Sequence, residues 1–254
     1  TVKKITAFIG SARKKGTYLA VQEFEKYLRK YRDIDFEYVF LNDYNLELCS
    51  GCKLCFDKGE QFCPYNDDRN VLIAKLEESD GVVFASPSYA FNISGRMKNF
   101  IDRIAFIYHR PRFFKKTFTA IGTQFIPFGK QVQKYLESVG RNLGFDVLKG
   151  TTVITPEPIP EKQLEKLKAN IMNLAGRFDK KLNKEKLAKP SLYKIMTFRM
   201  TRSGLQSSDL RLYDYDYYKE KGWLTSDYYY DIHLGPLQKV IGRFSDFLGR
   251  KLFT

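Results

Sequence analysis

The sequence lacks any apolar run near the roughly 18 residues that cross a bilayer; its longest, such as Val82 to Ala85, are the size of a strand. No signal-peptide apolar segment follows Thr1-Val2-Lys3-Lys4, which leads at once into a strand-like stretch, so a soluble, cytoplasmic chain is expected. Histidine is scarce, and His109 and His233 are isolated from one another. Internal repeats are absent, and so are the Walker and GxGxxG phosphate-loop patterns. Acidic residues are short against basic ones, 29 to 43, leaving a formal charge of +14. No zinc-finger spacing, RNA-binding aromatic signature or helix-turn-helix pattern accompanies that charge, and eleven Lys/Arg against four Asp/Glu fall within residues 160–200. A solvated basic face is therefore expected, with no nucleic-acid partner. What is present is a globular composition, 43% hydrophobic and 28% charged over 254 residues. That is enough for one large domain, or one domain with an appendage.

Strand-like and helix-like segments alternate along the first 180 or so residues. Residues 4–10, 34–41, 81–85, 118–123 and 145–154 read as strands, the last broken by Gly150. Residues 17–31, 67–79, 95–108, 130–143 and 161–182 read as helices, with Asp67 or Asp68 as N-cap of the second. Such alternation predicts an α/β fold, a flavodoxin-like doubly wound five-stranded parallel sheet of order 2-1-3-4-5. Ligands of such sheets bind beyond the C-terminal ends of the strands. From residue 189 the alternation stops. Seven tyrosines crowd into residues 213–230, and Leu237, Val240, Ile241, Phe244, Phe247, Leu248 and Leu252 trace an apolar stripe on a closing helix. The expected organisation is a domain over 1–188 and a C-terminal helical or irregular extension over 189–254. The closing helix is expected to pack on the domain or on a second subunit, with a membrane surface as the alternative.

Gly10-Ser11-Ala12-Arg13-Lys14-Lys15-Gly16-Thr17 joins the first strand to the first helix. A helix N-terminus there offers unpaired N–H groups and a positive dipole end. Ser11 and Thr17 add hydroxyls, and Arg13 adds a guanidinium fork suited to a phosphate. The plain alternative is an ordinary turn with an N-cap at Thr17. A second feature is the cysteines, Cys49, Cys52, Cys55 and Cys63, all within 15 residues. A disulfide framework would be spread through a small secreted chain, so a metal or redox role in a reducing compartment is expected. A compact CxxCxxC with a fourth cysteine after a short loop suits an iron–sulfur cluster or a tetrahedral metal.

The loop GSARKKGTY resembles the phosphate loop of the NADPH-dependent FMN reductases. Ala85-Ser86-Pro87-Ser88-Tyr89, followed by Met97-Lys98-Asn99-Phe100-Ile101-Asp102-Arg103, resembles that family's SPxY…LKNFIDR segment. Gly122-Thr123-Gln124 falls where its last flavin loop lies. The resemblance covers roughly residues 1–175 and implies non-covalently bound FMN, with NAD(P)H as co-substrate. Ser11, Arg13, Thr17 and Tyr18 would hold the phosphate. Pro87, Ser88, Tyr89, Ala90 and Phe91 would flank the flavin ring, and Thr123 and Gln124 would close its other side. Two departures stand out: Thr17-Tyr18 replaces the commoner Asn-Thr, and Phe91-Asn92 replaces a glycine. Asp102 and Arg103 are expected in ion pairs or a subunit contact. The family also implies a homodimer or tetramer.

The cysteine spacing resembles the iron–sulfur flavoproteins of the same family, which implies Cys49, Cys52, Cys55 and Cys63 as ligands of a 4Fe-4S cluster. Other members keep a similar segment ending in Cys-x-x-x-Asp-Asp, here Cys63 to Asp68, with free thiols and no cluster; zinc or a disulfide is a third possibility. The function expected is an FMN-dependent NAD(P)H oxidoreductase passing electrons to a second acceptor, a quinone, flavin, other small molecule or iron–sulfur centre. Two alternatives stay open: an iron–sulfur electron carrier fed by ferredoxin, and a regulatory or nucleic-acid-binding module on the same scaffold.

Overall fold

Fully buried alternation defines the first strand, β1 (Lys3–Ile9): Ile5, Ala7 and Ile9 turn to one face of the sheet, Thr6 and Phe8 to the other. The computed structural model describes residues 2–127, 129–184, 187–208 and 212–252. β3 (Gly81–Pro87) is buried throughout its apolar run, as a strand covered on both faces must be. With β2 (Ile34–Phe40), β4 (Thr117–Gln124) and the short β5 (Asp146–Val147), these strands form a parallel sheet of order β2-β1-β3-β4-β5. Chain direction across the sheet reverses between β1 and β3, so a crevice opens at their C-terminal ends.

Two helical layers cover the sheet. On one face α1 (Gly16–Leu28) and α6 (Glu161–Leu182) pack on Ile5, Ala7, Ile9, Val83 and Ala85, with Phe24 edge-on to Phe178 at 5.3 Å. The other face is aromatic: Phe8 meets Phe84 and Phe100 at 5.4 and 5.3 Å, and Phe84 meets Phe118 at 5.0 Å. There lie α3 (Arg69–Glu78), α4 (Gly95–Arg103) and α5 (Gln131–Leu143). The single fifth strand expected over 145–154 is in fact two, β5 and β6 (Thr151–Ile154), both paired to β4. Gly150 is the reason: a Cβ there would sit 1.9 Å from the Ala120 carbonyl oxygen. The Gly150 N–H is drawn off the ladder to the buried Glu137 carboxylate at 2.8 Å.

Asp67 is not a simple helix cap. Its buried carboxylate pairs with the Arg103 guanidinium of α4, one bond being 3.0 Å, and also accepts the backbone N–H groups of Glu47 and Arg69. Asp68 holds the cap position but turns its side chain to the Asn45 N–H. The other expected ion-pair residue, Asp102, pairs with Lys98 on the surface of α4.

Gly51–Pro64 groups with residues 188–254 as a second compact unit. It contains α2 (Leu54–Asp57), α7 (Leu192–Ser207), α8 (Tyr213–Glu220) and α9 (Pro236–Leu252). Its tyrosines form a core around Phe198, with Tyr229 at 4.5 Å and edge-on to Trp223 at 4.7 Å. Helices α7 and α9 run parallel: Gln238 meets Pro190, Asp246 meets Arg199, Arg202 and Ser203, and Gly249 lies against Met200. α9 turns Gly242, Ser245, Asp246 and Gly249 inward, and Leu237, Val240, Phe244, Phe247 and Leu252 of its apolar stripe are exposed on this chain.

Burial alone would push the Asp67 carboxyl up; Arg103 and the two N–H groups outweigh it and hold it below the ordinary carboxylate range. A carboxyl so depressed stabilises the fold above its unfolded pKa of about 4, and that contribution fades as pH falls through the folded value. Asp67→Asn should therefore cost about 3 kcal/mol at pH 7 in urea titrations, with the gap from the parent narrowing below about pH 4; equal midpoints at pH 7 would refute the role. In the second unit, a Cβ on Gly249 would lie 2.5 Å from the Met200 carbonyl oxygen. Gly249→Ala should lower stability by about 1–3 kcal/mol through forced separation of α7 and α9, read by thermal unfolding.

Candidate functional site

The loops that follow β1, β3, β4 and β6 converge on a cleft of ≈ 290 Å³. The β1–α1 loop supplies Ser11, Arg13, Lys15, Gly16 and Thr17; the β3 loop Pro87, Ser88 and Tyr89; the β4 loop Thr123, Gln124 and Phe125; and the β6 loop Thr155 and Glu157. Backbone bonds tie these walls together: Ser88 N–H donates to Thr123 O at 2.7 Å, and Thr155 N–H donates to Gln124 O at 2.8 Å. Ser94, the N-cap of α4, donates its hydroxyl to Gly10 O at 2.7 Å, which anchors the start of the first loop.

The floor of the cleft is the start of α1. Its first internal bond runs from Leu19 N–H to Lys15 O, 2.8 Å, so the N–H groups of Gly16, Thr17 and Tyr18 have no acceptor within the helix. No described side chain caps this end and the first turn carries no acid. Arg13 and Lys15 add two cations where the helix dipole is already positive. The charge that answers them is the Glu157 carboxylate, 3.2 Å from Arg13 and 2.8 Å from Lys15. The Lys15 hydrogen bond, with Arg13 behind it, holds that carboxyl below its ordinary range. An uncapped helix start, two cations and an exposed carboxylate bridging them fit a phosphate group.

The expected residues divide in an informative way. Ser11, Arg13, Thr17, Pro87, Ser88, Tyr89, Thr123 and Gln124 all line the cleft. The Ser11 hydroxyl donates to Arg13 O at 2.9 Å and shapes the loop. Thr17 and Thr123, expected on opposite parts of a ligand, share a buried hydroxyl–hydroxyl bond of 2.7 Å. Tyr18 is outside the cleft wall; its ring packs on Tyr38 and Phe40 at 5.3 and 5.2 Å. Ala90 and Phe91 form the tip of a tight turn with φ of 47° and 64°, closed by reciprocal bonds between Tyr89 and Asn92 of 2.9 and 3.0 Å. Two successive left-handed residues make this a type I′-like turn, stiff and costly without glycine. It holds Tyr89, half exposed, over the cleft and Phe91 beyond it. Sequence reasoning missed Lys15, Phe125, Thr155 and Glu157 as lining residues. The last two come from the Pro-rich stretch 155–160, which carried no signal of its own.

Cys49 and Cys52 are exposed, and Cys55 and Cys63 are partly buried. Cys49 belongs to the larger unit, where its N–H donates to Asn99 at 3.2 Å; the other three belong to the smaller one. Their chemistry suits iron–sulfur ligation. Among the described residues, however, no three His, Cys, Asp or Glu side chains are placed to hold a metal ion. No described helix is long and apolar enough to cross a membrane.

The model of the family described as NADPH-dependent FMN reductase matches residues 3–157. An iron-sulfur flavoprotein of Archaeoglobus fulgidus is 30% identical over 240 residues, 87% of this chain and the whole of the relative. Another, from Clostridioides difficile, is 29% identical over 173 residues, covering 64% of this chain and 74% of its own. The solved NAD(P)H:quinone oxidoreductase of Methanothermobacter marburgensis superposes with a TM-score of 0.51 at 14% identity, over 73% of this chain and all of that one; the likeness is one of fold. Matched over more than half its length by the family model, and over most of it by the archaeal relative, the chain belongs to the NADPH-dependent FMN reductase family.

Proposed function

We propose that the cleft binds FMN and that the protein is an oxidoreductase drawing hydride from NAD(P)H and delivering electrons to a second acceptor. The observation that carries this reading is the uncapped start of α1, flanked by Arg13 and Lys15 and answered by Glu157. Bound FMN would supply the redox chemistry, accepting hydride and passing electrons on. The chain's own residues position and screen. Arg13, Lys15 and the N–H groups of Gly16 and Thr17 would hold the phosphate. Pro87, Ser88 and the Tyr89 turn would wall the ring, with Thr123 and Gln124 opposite. The Tyr89–Asn92 turn keeps one wall rigid, and exposed Phe125 adds apolar surface at the mouth that limits water. No side-chain acid or base is required of this site.

A second reading adds an iron–sulfur cluster on Cys49, Cys52, Cys55 and Cys63. It is favoured by their spacing and by the iron-sulfur flavoprotein names of the relatives.

FMN fluorescence titration of the apoprotein tests the first reading. Arg13→Ala should weaken binding about tenfold, the worth of one charge-assisted hydrogen bond. Glu157→Gln should tighten it, by up to about fivefold, because the cations no longer have a competing carboxylate. Unchanged affinity in both variants would remove the phosphate from this loop. Iron and sulfide analysis of anaerobically purified protein tests the second: about four of each per chain, lost in Cys52→Ala and Cys55→Ala with flavin retained, is the expected result. Flavin without iron would leave the single-cofactor oxidoreductase.

A further inference from the structure

Helix α9 has three longitudinal faces of different chemistry. The first packs on α7 and is small and polar: Gly242, Ser245, Asp246 and Gly249. The second, turned away from α7, is apolar. Leu237, Val240, Phe244 and Phe247 follow one another at steps of three, four and three residues, and with Leu252 all are more than half exposed. Partly buried Ile241 and Leu248 border them. The third, along one edge of the stripe, is cationic, with exposed Lys239, Arg243 and Arg250; exposed Lys251 falls near the stripe itself.

The only acid on this helix is Asp246, and it takes no part in the outer faces. Its carboxylate is bound by Arg199, Arg202 and Ser203 of α7; burial works against its charge, and these partners hold it below the ordinary carboxylate range. The outward surface of α9 therefore carries apolar and positive groups with no negative one. Single exposed apolar residues are ordinary, but five on one helix beside a cationic edge are a contiguous patch with a direction.

We propose that α9 is an interfacial helix that docks this unit on an anionic lipid surface. It would lie flat for about 25 Å, with its apolar stripe at the headgroup–acyl boundary and its Lys and Arg side chains among the phosphates. Charge decides against a second copy of the same helix as occupant. Stripe-to-stripe pairing would bring two sets of Lys239, Arg243 and Lys251 together with no acid of α9 opposite, whereas an anionic bilayer neutralises them. The polar back face, already satisfied on α7, lets the helix be presented without unfolding the unit beneath it.

Vesicle flotation of the full chain, with its bound cofactors, tests this. Binding is expected to vesicles of phosphatidylcholine containing 30% phosphatidylglycerol, and not to phosphatidylcholine alone. It should fall as salt rises. The double variant Lys239→Gln/Arg243→Gln should partition about 25-fold more weakly, at about fivefold for each cation removed. Phe244→Asp/Phe247→Asp should abolish binding while thermal unfolding and flavin content stay unchanged, because neither side chain faces α7. Failure to float with anionic vesicles overturns the proposal, as does equal binding to both compositions. A concentration-dependent dimer that is lost in Phe244→Asp/Phe247→Asp, without vesicle binding, overturns it in favour of a second copy.

Discussion

The structure turns on an electrostatic demand at the start of α1 that the helix itself does not meet. A parallel sheet points the C-terminal ends of its strands and the N-terminal ends of the following helices at the same edge, which concentrates positive dipole there. This chain adds Arg13 and Lys15 and provides no capping acid within the helix. The resulting field is met from far along the sequence, by Glu157 beyond β6. That ion pairing joins the first and last loops of the family domain, where Gly16 also packs closely on Thr155. The cleft walls converge because backbone bonds link Ser88 to Thr123 and Gln124 to Thr155, bringing successive strand ends to the same point.

How far the sequence revealed this depends on the kind of signal. Strands such as Val82–Ala85 are buried on both faces and so are continuous apolar runs; helices such as α5 carry an apolar stripe, Val132, Leu136, Val139 and Leu143; both were legible. So was the order of the loops, because the motifs sit at strand ends. What escaped was set by partners distant in sequence. Gly150 reads as an interruption, but only its contact with Ala120 and Glu137 shows why one strand becomes two. Tyr18 follows a glycine loop and still belongs to an aromatic cluster with Tyr38 and Phe40. Helix α7 was not anticipated because Arg199 and Arg202 occupy its inward face, where periodicity looks for apolar residues; they are there for Asp246.

Part of the positive charge is held inside the fold. Arg103 is buried against Asp67, and its guanidinium lies 4.9 Å from the Tyr65 ring. Arg69, Arg110 and Arg112 surround the Phe106 ring at 5.6, 5.2 and 5.6 Å. Arg199 and Arg202 hold two helices together through one carboxylate. These guanidiniums act as packing elements, using flat faces on aromatic rings and forked donors on carboxylates. A net charge counted from the sequence weighs them equally with the exposed lysines, although they contribute little to any surface that a partner meets.

The split of the last strand bears on how copies of this protein can associate. A long, regular edge strand offers a row of free N–H and C=O groups onto which another chain can add. Here the edge beside β4 is two residues, an inward step at Gly150, and four residues more, with the N–H at the step already bound by Glu137. An incoming strand would find no continuous ladder to extend. On this side of the sheet the fold is guarded against strand addition and the aggregation that follows from it, and self-association there must use side-chain surfaces instead of backbone.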